Sequence, residues 1–246
     1  MSSYHLRYDI IIPVLNEEKR LPIGVSTLLD FLKLIHMENF VITIADNGSS
    51  DRTAAVANAL AAQYPKVRLI SIGKKGVGLA LKTAWDQSAA DVVGYMDVDL
   101  ATDITHFQEV VNLFETTTID LVNGSRNLPS SVVKNRSALR TLTSQGYNKI
   151  LRFFLNVNFT DGMCGFKFLR HSVYKKLMNF GLENDGWFFC TEFLYISEKY
   201  GFTIHEIPVR WVDDRDSRVQ LTKTIFYYLK EIFKLRSRKS KGFNNE

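Results

Sequence analysis

Four short runs of apolar, largely β-branched residues, spaced by segments of helical length, constrain the fold of this chain more than any other feature. They are Tyr8 to Val14 (YDIIIPV), Phe40 to Asp46 (FVITIAD), Val67 to Ile72 and Val92 to Met96, and each reads as a buried strand. Leu28, Leu29, Leu32 and Ile35 mark a helix after the first. An Ala-rich helix reaching Ala62, with Ser50 or Asp51 as its N-cap, follows the second, and Gly76 to Ala90 follows the third. This alternation predicts βαβ units and an α/β fold with a parallel sheet. Such sheets bind ligands at the carboxyl ends of their strands, where this chain collects Asn16, Glu17, Asp46, Asp97 and Asp99.

Asp97-Val98-Asp99 follows the fourth strand directly. In extended backbone, residues i and i+2 point the same way, so both acids are expected to face one point beyond the strand end. Carboxylate oxygens there suit a hard divalent cation that also takes the phosphates of a substrate. A strand closed by a plain acidic turn is the alternative.

Past Thr102 the pattern loosens. We expect strands at Ile119 to Asn123, Phe166 to Leu169 and Thr203 to Trp211, and helices over Ser137 to Phe154 and Trp187 to Lys199. The histidines lack the pairings of a zinc site or triad, and His36, His106 and His171 read as surface residues. No G-x-G-x-x-G or lysine-bearing phosphate loop is present around Gly73, Gly76 and Gly78. A single domain is expected, with about residues 8–125 binding a nucleotide, 126–219 an acceptor, and 220–246 forming a basic amphipathic tail.

Cys164 and Cys190 have neither disulfide-framework nor zinc-ligand spacing, which suggests reduced thiols and a cytoplasmic setting. The sequence carries no signal-peptide pattern and no apolar run of membrane-spanning length. The net charge of +5 resides entirely in Thr222 to Glu246, where seven Lys or Arg face two Glu. Ile225, Phe226, Leu229, Ile232 and Phe233 recur there at helical spacing, and Lys234, Arg236, Arg238, Lys239 and Lys241 follow. That composition predicts peripheral contact with the cytoplasmic face of a membrane, with docking on the domain as the alternative. Nucleic acid is not an expected partner, because no aromatic-and-basic recognition module accompanies the run.

The blocks DIIIPVLNEEKRLP, IADNGSSDRT, MDVDLAT, NGSR, DGMCGFKFLR, DGWFFCTEFLY, EIPVRW and DSRV occur in an order and spacing that resemble glycosyltransferase family 2. The resemblance is to the branch containing dolichyl-phosphate glucosyltransferases and, more distantly, dolichyl-phosphate mannose synthases. It implies a GT-A (Rossmann-like) fold with a mostly parallel central sheet flanked by helices. It also implies that Pro13, Asn16, Glu17, Asp46 and Gly48 bind the nucleoside of a sugar nucleotide. Asp97 and Val98 would lie near the ribose or donor sugar, and Asp99 would hold Mg2+ or Mn2+ on the diphosphate. Lys75 and Arg218 would contact phosphate, and Arg126, with Arg136 and Arg140 behind it, would hold the acceptor phosphate. Asp161 and Glu192 are the candidate general bases should the acceptor be a hydroxyl. The implied reaction is inverting transfer of a hexose, glucose first, from UDP-glucose or a related donor to a polyprenyl phosphate. Mannose from a guanosine donor, polysaccharide synthesis on a sugar hydroxyl, and a nucleotide-binding subunit without turnover are the alternatives. An aspartate-nucleophile phosphatase fits less well, since it leaves the first 90 residues without a role. The chain departs from the family pattern at Asn47, at Lys75-Gly76-Val77-Gly78, at Cys190, where an aspartate is usual, and at Asp216 and Arg218, where glycine and lysine are usual.

Overall fold

The computed structural model describes residues 4–213 and 221–238, without the side chains of residues 221–225. The four expected strands form as β1 (Tyr8–Val14), β2 (Phe40–Asp46), β3 (Val67–Ser71) and β4 (Val92–Met96). Helices α1 (Arg20–Leu34), α2 (Thr53–Gln63) and α3 (Val77–Asp86) connect them. All four strands are parallel, with β1 between β2 and β4 and β3 outside β2. The helices lie on both faces because β1 is apolar on both. Ile10 and Ile12 pack with Leu21, Val25 and Leu28 of α1, whereas Ile11 packs on the opposite face with Ala80, Leu81 and Trp85 of α3.

The second half adds α4 (His106–Thr116), β5 (Leu121–Ser125), β6 (Val132–Lys134) and α5 (Ala138–Leu155). It continues with β7 (Phe166–Arg170), α6 (His171–Asn179), α7 (Phe189–Lys199), β8 (Ile204–Pro208), β9 (Arg210–Val212) and α8 (Leu221–Ser237). The seven-stranded sheet runs β3-β2-β1-β4-β7-β5-β8, and β7 is antiparallel to both of its neighbours. A small parallel pair, β6 and β9, stands apart from it.

Several boundaries differ from the sequence reading. The helix expected to reach Ala90 stops at Asp86, and the fifth strand runs from Leu121 to Ser125 rather than from Ile119 to Asn123. The strand expected over Thr203 to Trp211 divides at Val209, whose N–H bonds Ser125 O (3.1 Å). Before that point the chain pairs with β5, and after it with β6. His106 and His171 are buried, not surface residues. His106 Nε2 accepts the N–H of Arg210 (2.9 Å), and His171 stacks on Tyr174 at 6.0 Å. His36 is exposed as expected.

Candidate active site

The carboxyl ends of β1, β2 and β4 meet at one rim, and their loops lock together through side chains. Asn16, in left-handed backbone (φ 58°), accepts the N–H of Ser50 (2.8 Å) and donates its own N–H to Ser49 Oγ (2.9 Å). Glu17 N–H bonds Thr53 Oγ1 (2.8 Å). The N-cap position of α2 falls on Arg52 rather than on Ser50 or Asp51, and Asp51 instead accepts the N–H of Thr53 (2.9 Å) in the turn that leads into the helix. Asp46 is buried and accepts the N–H of Ser49 (3.0 Å). Gly48 has φ 83°, a conformation that glycine adopts without steric cost. Asn47, the family departure, is buried, and its side-chain oxygen accepts the N–H of Gly76 (2.8 Å). It thereby ties the β2 loop to the start of α3. Lys75 is exposed beside that joint, and Pro13 lies opposite Ala45 in the sheet.

The paired aspartates do not continue the strand. β4 ends at Met96, and residues 97–100 form a turn closed by Leu100 N–H on Asp97 O (3.0 Å). Leu100 has φ 50°, a conformation a bulky side chain rarely adopts, so the turn is held by its surroundings. The acids therefore differ in exposure. Asp97 points inward against Gly165, where an added Cβ would sit 1.9 Å from Asp97 Oδ2. Asp99 is exposed, with Oδ1 accepting the N–H of Ala101 (3.0 Å). Burial, and then the charge of Asp99, raise the Asp97 carboxyl to about 7 against the pull of Arg126 and Lys167. Val98 is buried, and its carbonyl lies so close to α1 that only glycine fits at position 24, where a Cβ would sit 2.3 Å from that oxygen.

Beyond Asp97 lies a cationic group from the second half. Arg126 is clamped in a two-toothed pair with Asp161, Nε to Oδ2 at 2.7 Å and Nη2 to Oδ1 at 2.9 Å. Asp161 is fully buried and also accepts the N–H groups of Arg126 and Met163 (both 3.1 Å). Burial alone would raise this carboxyl, but Arg126 and Lys167 outweigh it and hold it at about 2. Lys167 is itself buried and bonds Asn123 Oδ1. Trp211, which sequence reasoning passed over within EIPVRW, lies under two guanidinium groups, Arg126 at 5.3 Å and Arg136 at 5.5 Å. Arg136 Nε is buried and has no hydrogen-bond partner among the described residues. Arg140 pairs with Asp213, and these two, with Arg136 and Ser137, line a cavity of 530 Å³.

Glu192 belongs elsewhere. Its carboxylate accepts the N–H groups of Glu183 (3.1 Å) and Asn184 (2.6 Å) and pairs with Arg238 (2.6 Å), so both oxygens are committed to protein partners. Cys190 accepts the hydroxyl of Tyr95 at 2.9 Å in the buried layer behind Asp97. Asp214, Asp216 and Arg218 lie outside the described residues.

The donor set fits a hard divalent cation that brings most of its ligands with it. Asp99 offers an exposed carboxylate oxygen, and the burial and the Asp99 charge that raise Asp97 are both opposed by a nearby cation. Among the described residues no cluster of three or more ligating side chains exists. The remaining ligands would therefore come from a diphosphate and water.

Comparison with known proteins agrees with this geometry. Glycosyltransferase AglD of Haloferax volcanii is 33% identical over 88% of this chain, which spans 35% of that protein. Dolichyl-phosphate beta-glucosyltransferase of Dictyostelium discoideum is 28% identical over 93% of this chain and is spanned for 77% of its length. The human protein of that name is 29% identical over 86%, spanned for 69%. Among solved structures, glucosyl-3-phosphoglycerate synthase from Mycobacterium tuberculosis with UDP superposes with a TM-score of 0.71 at 18% identity, covering 96% of this chain and 82% of that one. The same enzyme has been crystallised with Mn2+ and UDP-glucose. The fold is thus GT-A, and the family described as glycosyl transferase family 2 matches residues 9–178, with the strand-end loops, the Asp97–Asp99 turn and the Arg126 strand end all inside the match. This chain belongs to glycosyl transferase family 2.

Proposed function

We propose that the protein transfers a hexose, glucose first, from a nucleoside diphosphate sugar to a polyprenyl phosphate of the dolichyl type, with inversion at the anomeric carbon. Residues 8–125 hold the donor, with Asn16, Glu17, Asp46 and Gly48 at the nucleoside, and residues 126–219 hold the acceptor. Asp99 would hold Mg2+ or Mn2+, which when bound neutralises the diphosphate as it leaves.

What carries the acceptor assignment is the chemistry beyond Asp97. A sugar hydroxyl must lose its proton as it attacks, so it needs a positioned base. Asp161 is held at about 2 by Arg126, too weakly basic for that task and with both oxygens occupied, and Glu192 is fully bonded elsewhere. A phosphate monoester, with a second pKa of about 6, needs cations instead. Arg136 supplies one, its buried Nε lacking a partner among the described residues, and the guanidinium groups of Arg126 and Arg140, paired with Asp161 and Asp213, stand beside it. The names of the dolichyl-phosphate relatives point the same way. The tail would hold the protein peripherally at the cytoplasmic face of a membrane, and no helix among the described residues is long and apolar enough to cross one.

The test supplies UDP-glucose or GDP-mannose with Mn2+ or Mg2+ and offers either a polyprenyl phosphate or a free sugar as acceptor. Metal-dependent glucosyl transfer to the lipid phosphate is expected. Transfer only to the sugar hydroxyl would replace this reading with polysaccharide synthesis. Gly165→Ala is expected to lower that turnover by about a hundredfold, because its methyl displaces the Asp97 carboxylate by an ångström or more. Wild-type turnover in this variant would remove Asp97 from the reacting geometry.

A further inference from the structure

Helix α5 carries an apolar stripe on its solvent side. Leu139, Leu142 and Phe153 are 58%, 68% and 80% exposed. At about 100° per residue they share one arc of roughly 60°, spread along about 20 Å of helix. Gly146 lies within the same arc, with open space where its Cβ would be. A surface helix ordinarily buries its apolar stripe and turns polar residues outward, and α5 already buries Leu151 and Leu155. The outward stripe is therefore a second apolar face. It is not isolated, because α8 runs alongside in the same direction. Tyr147 meets Tyr228 (ring centroids 5.3 Å apart) and, further along both helices, Phe154 meets Phe233 (5.2 Å). From α8, Phe226 and Phe233 are also exposed, at 76% and 53%.

Charge identifies the occupant. Between Ala138 and Leu155 there is no Asp or Glu, and the single acid of α8, Glu231, is buried and bonded to Asn184 (2.9 Å). The solvent side of the pair thus carries Lys149, Arg152, Lys230, Lys234 and Arg236 and no carboxylate among the described side chains. Arg236 lies over the ring of Phe154 at 5.9 Å, its cation among the aromatics. Aromatic and aliphatic side chains ringed by unpaired cations match the headgroup–acyl boundary of an anionic bilayer. The tail alone cannot supply this surface. Ile232 and Leu235 are buried against the domain, and Arg238 is spent on Glu192 and Glu183.

We propose that α5 and α8 together form a bilayer-docking face, in which Leu139, Leu142, Phe153, Phe226 and Phe233 enter the boundary and the flanking lysines and arginines meet anionic headgroups. This extends the tail-contact reading to a helix some eighty residues earlier. It also places a cavity of 280 Å³, lined by Arg126, Asn148, Lys149 and Arg152, beside the lipid surface. A lipid-borne phosphate could then reach the arginines without leaving the membrane.

The test is flotation of the full chain with vesicles of phosphatidylcholine alone or mixed with phosphatidylglycerol. The wild type is expected to float with the mixed vesicles, less so at high salt. Leu142→Glu and Phe153→Glu, with the tail untouched, should each reduce partitioning roughly tenfold, whereas Ile23→Glu, an exposed apolar position on α1, should not. UDP-induced thermal shifts should be unchanged in all three, which keeps misfolding apart from lost docking. Flotation of both α5 variants at wild-type level overturns the proposal. So does a chain that is dimeric in solution and becomes monomeric in these variants without losing flotation, since the face would then join two copies. Failure of glucosyl transfer alone would count against the proposed reaction and leave the flotation result standing.

Discussion

Replacing Asp99 by asparagine is expected to lower turnover by about a thousandfold, ~4 kcal/mol of transition-state stabilisation, while leaving the fold intact. The side chain is exposed, and its one bond among the described residues, from Ala101 N–H to Oδ1, is one an amide oxygen accepts equally well. The turn should survive and only the anionic charge be lost. A hard divalent cation takes carboxylate oxygen far more readily than amide oxygen when its other ligands are phosphate and water. Two measurements separate the cause from general damage. The thermal midpoint without metal should match the wild type, and the additional shift that Mn2+ brings in the presence of UDP should vanish. Near-normal turnover would end the assignment of Asp99 to the metal.

Asp161→Asn is expected to destabilise the protein by about 3–5 kcal/mol, since it leaves the guanidinium of Arg126 facing a neutral amide in a buried site. The pH dependence follows from the depressed carboxyl. In the unfolded chain an aspartate titrates near 4, whereas in the fold Asp161 is held at about 2. Its contribution to stability is therefore fully present above pH ~4 and is lost as pH falls toward 2. Urea midpoints between pH 7 and pH 3 should decline for the wild type, and this component should be missing from the amide variant. A variant within ~1 kcal/mol of wild type at pH 7 would mean that the pair adds little to the fold. Under the proposed reaction, transfer to a polyprenyl phosphate should also fall, since Asp161 holds the guanidinium of Arg126 in place. Glu192→Gln is a milder change, since two backbone N–H groups still find an oxygen.

The first half was readable because its signals are local. Continuous β-branched runs such as Ile10 to Ile12 can be satisfied only between two helical layers, and each polar cluster follows its strand within a few residues. The second half hid its logic in pairs distant along the chain. Arg126 and Asp161 stand 35 residues apart, and Glu192 and Arg238 stand 46. No periodicity announces such a partnership, so Arg126 read as free and the two acids as available bases. His106 read as a surface residue because its acceptor bond to Arg210 spans 104 positions. Trp211 was the one legible clue to the arginine cluster. A tryptophan between Arg210 and the acids that follow is a natural platform for guanidinium groups. The turn at Asp97 misled for a different reason. Strand geometry was extended to Asp99, three residues past the end of β4 at Met96, where the chain instead turns and Leu100 takes left-handed backbone.

The reversed strand β7 has a consequence for how this protein can be made. It lies between β4 and β5, pairing Tyr95 with Lys167 on one side and Asn123 with Lys167 on the other. A ribosome that has released only the first 125 residues has therefore delivered both flanking strands and nothing to join them. The edge of β4, apolar on both sides and lacking the charges or prolines that usually blunt an edge, stays open until Phe166 to Arg170 emerge. Sheet closure waits on these long-range pairings, and a stalled or truncated chain offers a sticky template to its neighbours. Expression of residues 1–125 alone should accordingly yield aggregate, and anything that slows translation before codon 170 should increase the chain's dependence on chaperones.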